Sequence, residues 1–508
     1  MTGGRGAPTI AIAGAGFGGI ALAVYLKRAG IHSFTIHERA ADIGGVWRDN
    51  AYPGAACDVP SLLYSFSFAQ DYAWSVSYAP QAEILDYLRH CVARYGLAPH
   101  LRFGCEIAAA TFDEGAGRWH LKTGTGQCVE ADIFVSAVGL FNRPAVPDIP
   151  GRDGFAGIQF HSAQWHAGCD LAGKRVAVIG TGASAIQIVP AIAPTVGKLH
   201  VFQRSPHHVL PRADPGLVAA GSGWRMLARR VRRLRIFLQF ENAVRRRGSP
   251  RLTRKGEQAF RAHLESQVSD PALRARLTPA FPLGCKRVLQ SNDWYAALQR
   301  PNVELVDTPI EAIGRDFIRT RDGRSRPVDV IIYGTGFTPT DYLAPMRVIG
   351  RGGRDLNDAW RDGAEAYLGI AVSGFPNFFM LYGPNTNAVG SIIHMLESQA
   401  RYIVRCVETL RRAGASWMDV RDAVQRDYNA TILRRLGATV LVHPSCHSYF
   451  RSPTGKVTTQ WPGFMSEYRR RTRKIRLADY AFGPPSSRSA VAAMPDKSLI
   501  LNGGRGKD

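Results

Sequence analysis

At 508 residues, with 45% hydrophobic and 21% charged side chains, the chain is long enough for two or three folded domains and apolar enough to fill their cores. No window approaches the roughly 18 uninterrupted apolar residues a membrane-spanning helix needs; the most apolar stretch, 176–193, is broken by Gly180, Thr181, Gly182, Ser184, Gln187 and Pro190. The formal net charge of +23 comes without a nucleic-acid recognition motif, so nucleic-acid binding is set aside.

Residues 7–40 read as strand, glycine turn, helix, strand. The first apolar run already carries the glycine turn, so it does not read as a secretory signal, and a cytoplasmic location is expected. Gly14-Ala15-Gly16-Phe17-Gly18-Gly19 fits G-x-G-x-x-G with Gly14, Gly16 and Gly19 in the three glycine positions. The first permits a tight turn, the second lets the backbone approach a pyrophosphate, and the third lets helix and strand pack closely. Glu38 ends the next strand, where a carboxylate accepts hydrogen bonds from an adenosine ribose and repels a 2′-phosphate. An aromatic-rich segment, 47–74, and a helix over 81–95 follow.

Residues 173–206 repeat the plan, with strands at 175–179 and 199–203 and a helix over 185–192. The second loop, Gly180-Thr181-Gly182-Ala183-Ser184-Ala185, has alanine in its third position, and Arg204 stands where the acidic residue would be. A guanidinium suits a 2′-phosphate, so the first loop is expected to hold FAD and the second NADP. The fold class expected is α/β, two doubly wound dinucleotide-binding domains with a mostly helical insertion in the second. The expected division is 7–150 for the first part of the FAD domain and 151–337 for the NADP domain, with the insertion at about 208–285. Residues 338–480 return to the FAD domain, and 481–508 are expected to be a disordered tail, being small and polar.

Much of the positive charge lies in residues 225–255, from Arg225 to Lys255. Met226, Leu227, Val231, Leu234, Phe237 and Leu238 interleave with the arginines at spacings that fit a helix with one buried face. The charge reads first as a solvated face near an anionic cofactor, and second as a weak peripheral membrane contact. The eight cysteines are scattered singly with no C-x-x-C pair, which argues against a dithiol reductase or structural zinc, and free thiols are expected. H-E-x-x-H and G-x-S-x-G are both absent.

The segment from Phe155 through Gly157 and His161 to Trp165 fits F-x-G-x-x-x-H-x-x-x-W and lies just before the second loop. It resembles the fingerprint of the type I Baeyer–Villiger monooxygenases. The chain is also similar to that family at Gly44-Gly45-Val46-Trp47, Tyr52-Pro53-Gly54-Ala55-Ala56-Cys57-Asp58, Lys286-Arg287, Gly334-Thr335-Gly336-Phe337 and Gly374-Phe375-Pro376-Asn377. Asp58-Val59-Pro60-Ser61 and Trp461-Pro462-Gly463 look most like the branch containing 4-hydroxyacetophenone monooxygenase. Ala51 and Ala56 depart from the family, which often has arginine there, and the family's alanine-threonine-glycine linkers read Ala137-Val138-Gly139 and Gly334-Thr335-Gly336. The fingerprint itself has no departure.

The resemblance implies a reaction: NADPH reduces FAD, O₂ gives a C4a-peroxyflavin, and one oxygen enters beside a ketone carbonyl to give an ester or lactone. It assigns Arg287 as the catalytic arginine, Asp58 as the carboxylate that positions it, and Lys286 as a partner of Arg204 at the NADP phosphate. Gly45, Trp47 and Tyr52 join the cofactor contacts on the flavin side, and Gly180, Gly182 and Ser184 those on the nicotinamide side. His161 and Trp165 are expected to tie the domains together. An N- or S-oxygenating flavin monooxygenase acting on a thioether is the alternative, and a non-oxygenating flavoprotein redox sensor the third reading.

Overall fold

In the computed structural model, residues 8–247 and 250–484 are described. The first loop follows a fully buried strand, Ile10–Ala13, and opens the helix Phe17–Arg28. That strand pairs in parallel with Phe34–His37 on one side and Ile133–Ser136 on the other. Phe378–Met380 and Leu101–Arg102 complete a five-stranded parallel sheet. Its continuous Ile, Val and Phe runs suit a sheet covered on both faces.

The second sheet copies the first. Arg175–Ile179 lies centrally between Lys198–Phe202 and Val330–Tyr333, with Val303–Val306 and Ile158–His161 at the edges, all parallel. The repeat runs deeper than strand–helix–strand. Before its last inner strand each unit inserts an antiparallel meander, at Ile107–Asp113, Arg118–Thr123 and Cys128–Ala131 in the first and at Ile310–Ile313, Phe317–Thr320 and Ser325–Pro327 in the second.

The chain then returns to the first unit. Arg347–Ile349 pairs with Ile107–Asp113, and the helix Ile392–Ala413 packs along Phe17–Arg28. Ser391 caps that helix, its hydroxyl accepting from the His394 amide at 3.4 Å. The insertion is helical as expected, with helices Trp224–Arg247, Pro250–Gln267 and Pro271–Leu277. Asp270 caps the last, accepting from the Ala272 and Leu273 amides, and Pro271 follows at the first helical position.

Three expectations need correction. Cys285 and Cys446 are not free thiols: they form a disulfide between two fully buried residues whose Cα atoms are 5.4 Å apart. The partners are 161 residues apart in sequence, a pairing no local spacing encodes. The basic helix Trp224–Arg247 also faces the other way. Arg229 and Ile236 are buried and Phe237 is half-buried against the core, while Trp224, Met226, Leu227, Val231, Leu234 and Leu238 are exposed. Distant carbonyls cause the reversal: Arg229 donates to Val218 O and Tyr72 O, and Arg233 to Leu62 O and Ser65 O. These bonds give both guanidinium groups carbonyl partners at their Nη atoms, while the buried Arg229 Nε finds none among the described residues. Finally, residues 480–482 form a strand antiparallel to Met418–Val420, so the expected tail does not begin at 481; the rest of it, from 485, lies outside the described residues. No helix among the described residues is long and apolar enough to cross a membrane.

Candidate active site

The two glycine loops open onto one cavity of about 1600 Å³, larger than one drug-sized ligand needs. At Gly14 (φ +107°) an added Cβ would lie 2.7 Å from Ala137 O, and at Gly180 (φ +113°) 2.4 Å from Gly334 O. Each first glycine is thus pressed on the linker that follows its unit's last inner strand, in a conformation L side chains rarely adopt. The second glycines differ from the first. Around Gly182 nothing lies within 4 Å of an added Cβ, and beside Gly16 there is only Gly45, at 3.8 Å. Both therefore present bare backbone to the cavity beside a helix N-terminus, the cradle a pyrophosphate requires.

Glu38 is buried at the end of its strand. Its Oε2 accepts from the Ala15 amide at 2.8 Å, and its Oε1 from Ala40 N and Arg48 Nη1. Of about four lone-pair sites three are taken by the chain, leaving one on Oε2 for a ribose hydroxyl. Arg48, which the sequence reading passed over, also pairs with Asp49. Trp47 Nε1 donates to Tyr64 Oη at 2.9 Å, and the two rings meet edge to face.

Tyr52 and Gly54 face the second unit. The Tyr52 hydroxyl donates to Gln187 Oε1 at 3.3 Å, and an added Cβ at Gly54 would meet Gln187 O at 2.7 Å. Gln187 Oε1 also accepts from Ala56 N, while its Nε2 donates to Ala56 O. Gln187 is thus a bridge between the units that sequence reasoning missed; its one signal was a single glutamine in the otherwise apolar helix Ala185–Ile192. Burial pushes the Tyr52 phenol above its ordinary range, and Ser184 stands within hydrogen-bonding reach.

Arg287 and Asp58, 229 residues apart, meet on the cavity wall. Arg287 Nη2 lies 2.6 Å from Oδ1 and Nε 3.1 Å from Oδ2, a two-pronged charge-assisted pair. The Asp58 carboxylate holds the guanidinium still further above its already high range, against the cost of burial. The Arg287 side chain keeps 42% of its surface uncovered and lines the cavity, so that face is open to a reactant. Tyr382 and Tyr449 stand close by, and burial raises both phenols, keeping them neutral. Cys285 immediately precedes Lys286-Arg287, and Cys446 lies three residues before Tyr449. The disulfide therefore ties both sides of this wall.

Lys286 Nζ donates to Ser205 Oγ at 2.6 Å and sits 4.6 Å from the Phe281 ring centre. Burial lowers its pKa, and the charge of Arg204 lowers it further, so the two cations share one region. His207 joins them: its Nδ1 is buried without a hydrogen-bond partner, and burial, helped by Lys286, pushes its pKa down to about 4. The fingerprint runs through Ile158–His161, the edge strand of the second sheet. His161 is buried with its ring 5.4 Å from Phe337, its Nδ1 accepts from Ala163 N, and Trp165 packs edge to face on Phe160. The turn Ser162–Gln164 touches the helix Val46–Asp49 of the first unit, a contact between the two units made from within the fingerprint.

A family model described as flavin-binding monooxygenase-like matches residues 7–246. A Baeyer–Villiger monooxygenase of Streptomyces coelicolor is 42% identical over 479 residues, covering 93% of this chain and 92% of that protein. Another, of Pseudomonas aeruginosa, is 39% identical over 93% of this chain and 90% of that protein. The chain belongs to the Baeyer–Villiger flavin monooxygenases. Among solved structures, an oxidised steroid monooxygenase bound to NADP superposes with a TM-score of 0.84 at 30% identity, covering 94% of this chain and 99% of that one. A closed cyclohexanone monooxygenase gives 0.83 at 27% identity over 94% and 99%. As a Baeyer–Villiger monooxygenase this protein is an FAD-binding, NADPH-dependent enzyme built on two dinucleotide-binding domains, as its two loops imply.

Proposed function

We propose that this monooxygenase oxygenates an apolar ketone against the Arg287 wall of the cavity, with Arg287 as its catalytic residue and Asp58 as the residue that positions it. The observation carrying this reading is the two-pronged Arg287–Asp58 pair, formed across 229 residues at the edge of the space both loops share. When bound, FAD supplies O₂ activation and NADPH the hydride that precedes it. Gly14, Gly16, Gly19 and Gly45 would hold the first pyrophosphate and Glu38 its ribose, with Trp47 and Tyr52 flanking the flavin. Gly180, Gly182 and Ser184 would hold the second, with Arg204 and Lys286 on its 2′-phosphate.

The chain's own chemistry follows from charge. Arg287 cannot release its proton in the working pH range, so it offers a constant cation to the oxygen that turns negative during transfer. Asp58 fixes that cation before the reaction, so no reorganisation is needed when the charge appears. The neutral Tyr382 and Tyr449 add no negative charge to that of Asp58. The ketone is the preferred substrate; a thioether is the alternative, since the same oxygen could pass to sulfur.

Product analysis over a ketone and a thioether panel tests the reading, with Arg287→Ala beside the parent. The variant is expected to accept hydride from NADPH, seen as flavin bleaching without O₂, while ester formation falls by about a thousandfold or more and the consumed O₂ appears as hydrogen peroxide. Arg287→Lys should recover little, because one ammonium cannot hold both carboxylate oxygens. Ester formation by Arg287→Ala within tenfold of the parent would reject the assignment, and sulfoxide without any ester would reject the ketone.

A further inference from the structure

The outer face of the basic helix Trp224–Arg247 carries an apolar row. Trp224, Leu227, Val231, Leu234 and Leu238 recur at alternating intervals of three and four residues, which aligns them along one stripe. All five are exposed, Trp224 by 74%, Leu227 by 62% and Leu234 by 55%. On an ideal wheel of 3.6 residues per turn, Arg230 borders one side of the stripe and Arg235 the other, and both are exposed. The buried Arg229 and Ile236 lie on the opposite face, so this stripe is not the one that fastens the helix to the protein.

Scattered apolar side chains are ordinary on a protein surface, but an aligned row ending in a tryptophan marks an interaction surface. We propose that this face docks on an anionic lipid surface. Charge complementarity selects that occupant. From 224 to 240 the helix contains no acidic residue, and Glu241 is already engaged by the Met465 amide and the Ser466 hydroxyl. A second copy packed on the same seam would set arginine against arginine with no carboxylate to pair them. Lipid phosphates meet the arginines, the leucines enter the acyl boundary, and tryptophan favours the interface between them.

The same helix lines the cavity through Phe240 and Ala243. Docking therefore sets one cavity wall beside the phase into which apolar ketones partition. That consequence rests on the ketone reading, whereas the docking itself does not.

Vesicle sedimentation of the FAD-loaded enzyme tests the docking, using phosphatidylcholine alone and phosphatidylcholine with equal phosphatidylglycerol. At low salt the enzyme is expected to pellet with the anionic vesicles about tenfold more than with the neutral ones, and high salt should release it. Leu227→Ser with Leu234→Ser, and separately Arg230→Gln with Arg235→Gln, should each cut that binding about tenfold. Both double variants should keep their flavin content and their turnover of a water-soluble ketone. Equal binding to the two vesicle types, no binding to either, or retention of binding in the leucine variant would overturn the proposal. So would sedimentation velocity showing a dimer that the leucine substitutions turn into a monomer, since the face would then be a contact between copies.

Discussion

The two dinucleotide units are near copies in backbone and opposites in charge. Gly14 and Gly180 share a left-handed conformation and the same pressure from a linker carbonyl, and both units place a meander before their last inner strand. Around the loops they part at two places. Helix and strand meet at Gly19 in the first and at Ala185 in the second, and the second strand is followed by the buried Glu38 in one and, two residues on, by the exposed Arg204 in the other. Backbone geometry gives each unit the same glycine loop; on the proposed assignment, the residue after the second strand decides whether a 2′-phosphate is accepted.

The largest effect should come from exchanging the packing residues. An added Cβ at Gly19 would lie 2.0 Å from Gly14 O, a backbone atom that cannot move without distorting the loop. Gly19→Ala is therefore expected to purify with less than about a tenth of the parent's flavin, whereas Ala185→Gly should cost only the roughly 1 kcal/mol of a glycine in a helix and keep its NADPH response. Flavin content by absorbance and melting temperature measure the two. A fully flavinated Gly19→Ala would show that the first unit tolerates the alanine of the second, and the two loops would then be interchangeable.

A smaller effect belongs to the charges. On the proposed assignment, removing Arg204 or Lys286 takes one charge-assisted contact from a 2′-phosphate, worth about 1.5–3 kcal/mol, so KM for NADPH should rise roughly tenfold to a hundredfold. KM for NADH, which lacks that phosphate, should stay within about twofold, and kcat should change little. A matching rise for both nucleotides would mean that these cations hold the loop and not the phosphate.

How much of this was legible in the sequence follows the range of each interaction. The loops, their strands and the Ala185–Ile192 helix could be read directly, because turn geometry and apolar periodicity are encoded within a few residues. Arg287 and Asp58 could not be chosen from spacing; only the resemblance to a family pointed to them, and the fold had to bring them across 229 positions. The Cys285–Cys446 bridge and the Gln187 contacts were hidden for the same reason. The basic helix misled in a more instructive way. It carries two stripes on opposite faces, and burial went to the one containing Arg229 and Arg233 because carbonyls of Leu62, Ser65, Tyr72 and Val218 were waiting for their protons. A helical period reports that a face exists, not which face has partners.

The smallest effect separates the units by acid. His207 and His208, both in the second unit, are pushed down to about 4 by burial, and His394, on the helix packed against the first, to about 3. Each is neutral when folded, so its stabilisation is complete above the unfolded pKa of about 6.5. It is lost as pH falls from there toward the folded value, by up to about 1.4 kcal/mol per pH unit for each group. The melting temperature should therefore drop several degrees between pH 7 and pH 5, and His394→Gln should flatten part of that slope. NADP⁺ should flatten a different part: at the proposed site beside Lys286 and Arg204, its 2′-phosphate would favour the charged form of His207 but lie outside the surroundings of His394. If NADP⁺ shifts the melting curve equally at pH 7 and pH 5 in the parent, His207 does not face the phosphate, and the cationic end of the second unit consists of Arg204 and Lys286 without it.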